Sequence, residues 1–78
     1  MALPRDFRDE VETELRATRR ALAADRDRIS ALEELRHLVL ALETLLARPI
    51  TVIDVINSAP NAAERERRTS LVTVLRSG

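Results

Sequence analysis

LEELRHLVLALETLLAR, residues 32–48, is the stretch whose reading decides the fold. Its large apolar side chains stand at Leu32, Leu35, Val39, Leu42 and Leu46, in steps of 3, 4, 3 and 4. That is the spacing of a helix with one buried, coiled-coil-like seam. Leu38 and Leu45 widen the seam into a broad face. Full burial of each Leu or Val is worth roughly 1.5–3 kcal/mol, so such a face has to be covered.

What covers it depends on the rest of the chain. A protein of 78 residues buries a limited fraction of its surface and is marginal as a lone monomer. There is no cysteine for a disulfide or a thiolate metal site, and only one histidine. Association is the remaining remedy. The expectation is a homo-oligomer whose interface is Leu32, Leu35, Leu38, Val39, Leu42, Leu45 and Leu46. An intramolecular helical bundle is the alternative.

Upstream, Phe7, Val11, Leu15, Leu22 and Ile29 form a thinner stripe, with Thr18 at the missing step. On one straight helix its centre is offset from the 32–46 face by about 130°. Ala17, Ala21 and Ala24 lie closer to the upstream extension of the seam. Asp9, Glu10, Glu12 and Glu14 crowd a helix start near Pro4 and Asp6, where the dipole favours carboxylates. Arg8 faces Glu12 at i+4, and Glu12 faces Arg16. Ser30 with Glu33 has the form of a capping box, which would restart a helix after a break near 25–30. No glycine or proline lies there, and helix-to-helix turns normally use one. A continuous helix over about 6–47, with room for a kink near 25–30, is therefore the expectation, with a helical hairpin broken near 25–30 as the alternative. Phe7, Val11, Leu15 and Leu22 would then form an arm that meets another protein.

Downstream, Arg48-Pro49 ends the long helix, because the residue before proline is pushed out of the α region. ITVIDVINS, residues 50–58, is rich in β-branched residues, yet Thr51 with Asp54 three residues on reads as a helix cap. Asn61 with Glu64 repeats the form after the turn at 58–61. Two short helices are expected, over about 51–58 and 62–76, with strands at 50–56 and 69–75 as the alternative. The whole is an all-α single domain, 1–78.

The composition narrows the function. Phosphate loops and dinucleotide fingerprints need glycines at fixed spacing, and the only glycine is residue 78. His37 is the only conventional neutral-pH base. It falls nearly opposite the seam, with Glu33 at i−4, and reads as a solvent-facing pair rather than a catalytic or metal site. No enzyme activity, cofactor or metal is expected. The longest apolar run, 38–42, is far below the roughly 20 residues a membrane span needs, so a cytoplasmic protein with no membrane partner is the default.

The thirteen basic residues are all arginine, balanced by thirteen acids to a formal net charge of zero. One group is Arg16, Arg19, Arg20, Arg26 and Arg28; another is Arg65, Arg67 and Arg68. The function expected is a non-enzymatic oligomerisation or adaptor protein acting through protein–protein contacts. The alternative is a small DNA-binding regulator with residues 49–76 as a helix–turn–helix and Asn61, Arg65, Arg67 and Arg68 as contacts. Glu64 and Glu66 among those arginines, and the absence of a basic excess, count against it.

Overall fold

The computed structural model describes residues 6–77, of which the helices are α1 (Phe7–Arg20), α2 (Arg26–Leu46), α3 (Val52–Asn57) and α4 (Ala62–Arg76). No strand occurs among the described residues. The principal extents are 36 × 36 × 20 Å, a slab two helices thick. None of the helices is long and apolar enough to cross a membrane. Pro4, the expected first-turn proline, lies outside the described residues.

The expected helix over 6–47 is two helices. The chain leaves α1 at Ala21, whose φ and ψ of −65° and 141° are extended, and re-enters α2 after Asp25. Asp25, not Ser30, is the cap: its side chain accepts from the N–H groups of Asp27 and Arg28 at 3.0 and 3.1 Å. Ser30 sits inside α2. The reversal uses neither glycine nor proline because it needs no left-handed backbone. Ala47 is the only non-glycine with positive φ among the described residues, and it lies elsewhere.

This reversal resets the helical phase, so the offset between the two apolar stripes no longer separates them. α1 runs back along α2, as the cross-helix pairs Arg8–Glu43, Glu12–Arg36 and Arg19–Glu33 record. Phe7, Val11 and Leu15 of α1 are buried in one core with Leu32, Leu35, Val39 and Leu42 of α2. Ile50, Val55 of α3, and Val72 and Leu75 of α4 complete it. The expected arm is thus part of the protein's own core, except Leu22, which stands fully exposed in the turn. Four residues of the expected intermolecular interface are likewise covered from within the chain. Leu38 packs at the edge of the core, and Leu45 and Leu46 remain exposed.

α3 and α4 form as their caps dictate. The Thr51 hydroxyl accepts from the Asp54 N–H at 3.3 Å, and the Asp54 carboxylate accepts from the Thr51 N–H at 2.9 Å, a complete capping box. Asn61 Oδ1 accepts from the Glu64 N–H at 2.8 Å. These caps override the β-branched density of 50–56 and 69–75. α4 then lies antiparallel to the N-terminal half of α2, with Arg67 paired to Glu34 and the Leu75 carbonyl at Arg28.

Candidate functional site

Of the large apolar side chains that the core leaves outside, Leu45, Leu46 and Ile53 flank the passage from α2 into α3, while Leu22 and Leu40 lie elsewhere. α2 ends at Leu46, and Ala47 takes the left-handed conformation, φ 55° and ψ 40°. Arg48 then folds over the start of α3. Its Nη1 donates to Asp54 Oδ2 at 3.0 Å and to the Pro49 carbonyl at 3.0 Å, and its Nη2 donates to Asp54 Oδ1 at 3.2 Å. The bidentate Arg48 fork and the Thr51 N–H hold the Asp54 carboxyl at about 2, down from an ordinary 3.8. The same pair raises Arg48.

Val55 points into the core, while Ile53 stands 65% exposed. Leu45 is 78% and Leu46 41% exposed on the last turn of α2. Two large aliphatic side chains thus precede the α2–α3 connection and one follows it. Leu40, at 36%, is the next most exposed of α2's leucines. Asp54 is engaged as a cap and ion-pair partner, and the Thr51 hydroxyl also donates to its Oδ2 at 3.3 Å.

The residues of the DNA-binding alternative have structural duties. Asn61 caps α4. Arg67 donates to Glu64 at 3.0 and 2.9 Å and also pairs with Glu34, which raises its pKa. Arg68 is buried, and its Nη1 donates to the Val55 carbonyl at 2.8 Å and to Ser58 Oγ at 2.7 Å while its Nε donates to Glu64 at 3.2 Å. Hydrogen bonds from Arg67 and then Arg68 hold Glu64 below its ordinary 4.5. Asn61, Arg65 and Arg67 are exposed, and of the four Arg65 alone has no side-chain hydrogen bond or ion pair among the described residues. It lies on the outward face of α4 beside Ala62, Glu66, Thr69 and Ser70, an open surface without converging polar groups.

His37 is exposed, and Glu33 is not its partner: that carboxylate accepts from Arg19 at 3.0 Å. Among the described residues no three of His, Cys, Asp and Glu gather as metal ligands.

Two arginines matter more than sequence reasoning expected. Arg28 donates to Thr18 Oγ1 at 3.2 Å, Glu14 at 3.2 Å, the Leu75 carbonyl at 3.1 Å and the Val74 carbonyl. It thereby satisfies the last carbonyls of α4 and ties them to α1. Arg68 does the same for the end of α3. A signal for both exists in the pattern. Arg28 precedes Leu32 by four and Leu35 by seven, and Arg68 precedes Val72 by four and Leu75 by seven, so each occupies an apolar seam.

Comparison with known proteins gives no match to a family model, a curated protein or a solved structure.

Proposed function

We propose that this chain is a small, non-enzymatic protein-interaction module that self-associates through the corner between α2 and α3. The observation that carries the reading is the exposure of Leu45, Leu46 and Ile53 on either side of the α2–α3 connection. The core has absorbed the other residues of the wide α2 face. Leu22 in the α1–α2 turn and Leu40 are the other large apolar side chains left exposed among the described residues.

The magnitudes set the strength. Burying three such side chains is worth about 4–9 kcal/mol gross, less what is already covered. Association costs an estimated 4–15 kcal/mol in lost freedom. The balance corresponds to weak, concentration-dependent assembly rather than an obligate oligomer. The DNA-binding alternative would have to work through Arg65, since Asn61, Arg67 and Arg68 are occupied.

Light scattering on a sizing column over a range of concentrations tests the reading. The expected result is a mass that rises with concentration and returns to the monomer value in Leu45→Asp with Ile53→Asp, with helicity unchanged. A monomer at every concentration, or an assembly that the double variant leaves intact, overturns it.

A further inference from the structure

Between the C-terminal half of α1 and the facing side of α2 lies a groove of about 280 Å³, lined by Glu12, Leu15, Arg16, Arg19, Arg20 and Arg36. Four guanidiniums meet one carboxylate there, in a chain whose formal net charge is zero. Glu12 is already held by Arg36 at 2.9 Å, and Arg19 reaches Glu33 at 3.0 Å. Arg16 and Arg20 have no ion pair among the described residues. Arg8, Arg28, Arg48, Arg67, Arg68 and Arg76 each hold a carboxylate, whereas Arg26 and Arg65, like Arg16 and Arg20, hold none among the described residues.

The helix dipole accounts for part of this cluster. Cations in a last turn face free carbonyls, which suits Arg19 and Arg20. It does not account for Arg16, one turn further in, or for Arg36 on the neighbouring helix. Arg16 and Arg20 are i,i+4 neighbours, a like-charge spacing that works against the helix. An anion bridging them would relieve the repulsion and use donors that now face water.

We propose that this groove binds a short phosphate chain, a di- or triphosphate, either free or carried by a nucleotide. Guanidinium forks match phosphoryl oxygens in geometry and form charge-assisted hydrogen bonds with them. The volume lies at the floor of the roughly 300–1,000 Å³ of ordinary ligand pockets, which suits a phosphate chain and leaves no walled space for a base. No aromatic side chain lines the groove, and Phe7, the only one in the chain, is in the core. Recognition therefore ends at the phosphates. The proposal is independent of self-association, because none of its residues belongs to the α2–α3 corner.

The test is titration of the full chain with inorganic tripolyphosphate, followed by calorimetry and by amide chemical shifts, at low salt and near 0.15 M. The expected result is saturable one-to-one binding, weaker at the higher salt, with shifts gathered around Arg16–Arg20 and Arg36. Arg16→Ala with Arg20→Ala weakens it at least tenfold, while Arg65→Ala, which removes another unpaired surface arginine, leaves it unchanged. Both positions are exposed, and circular dichroism checks that the double variant keeps its helicity; Arg16→Gln and Arg20→Gln singly serve if it does not. Equal affinity for ATP and tripolyphosphate is expected, and tighter binding of ATP overturns recognition that ends at the phosphates. No saturable binding, equal weakening by Arg65→Ala, or tighter binding of a glutamate-rich peptide to the same groove overturns the proposal.

Discussion

Arg28 and Arg68 sit where the apolar pattern calls for an aliphatic residue, and each carries several of the contacts that join helices. A lysine ammonium is a point charge on a flexible stem and cannot reproduce the planar fork. Removing the group leaves helix-end carbonyls without a donor, and hydrogen bonds to charged groups contribute about 1.5–3 kcal/mol. Arg68→Met is expected to destabilise the protein by about 1–3 kcal/mol, read as a shift of the urea midpoint at constant slope. Arg28→Lys should lose most of what Arg28→Met loses; full retention of stability in the lysine variant would show that charge alone matters there. Asp54 gives a pH dependence of definite sign. Its carboxyl is depressed to about 2 in the folded chain from an ordinary 3.8, so its contribution is present above 3.8 and is lost as pH falls through about 2. Glu12, held low first by its hydrogen bond from Arg36, and Glu64, held low first by Arg67, act in the same direction. Urea midpoints should fall between pH 5 and pH 2, and the fall should be smaller in Asp54→Asn.

At the scale of the elements, local signals are obeyed at three of the four helix starts. Asp25, Thr51 and Asn61 all cap with their side chains, whereas Asp6 stands at the start of α1 without a capping hydrogen bond. Thr51→Ala should cost about 1 kcal/mol and Asp6→Ala much less, a comparison that thermal melts can resolve. The end of α2 is the strained point. An L-residue in the left-handed region is disfavoured by roughly 1–2 kcal/mol, and glycine is the usual occupant of that position. Ala47→Gly is therefore expected to raise stability by about 1 kcal/mol, or about 4–8 °C in Tm for a chain this size. No gain would mean that contacts of the Ala47 methyl offset the backbone cost.

For the whole molecule, the question is which leucines belong to the monomer. A domain of this length has roughly 4–12 kcal/mol of stability in all. Leu35 is fully buried between helices, so Leu35→Ala should remove about 2–5 kcal/mol and leave a marginal or unfolded chain. Leu45→Ala should stay within about 0.5 kcal/mol in the monomer, because that side chain is already mostly in water. Denaturation in dilute solution separates the two, and a large effect at Leu45 would place it in a core it is not seen to share.

Helix content, the starts of α3 and α4, the seam of α2 and its end before Pro49 were all legible in the amino-acid order. Each rests on interactions within a few residues: a capping side chain, a period of 3.6, a proline that forbids the α region before it. The chain reversal at Ala21–Asp25 was not. It contains no positive φ, so it demands no glycine, and its cap at Asp25 lacks a reciprocal acid three residues on. Nor did spacing reveal ion-pair partners. Arg8 and Glu12, neighbours at i+4, pair instead with Glu43 and Arg36 across the hairpin. Once α1 folds back, side chains distant in sequence compete for the same charges, and the arrangement that also buries Phe7, Val11 and Leu15 prevails. Tertiary packing thus decided which apolar residues form the core, which three remain at the α2–α3 corner, and which arginines are left without a carboxylate, because each depends on what another helix brings near.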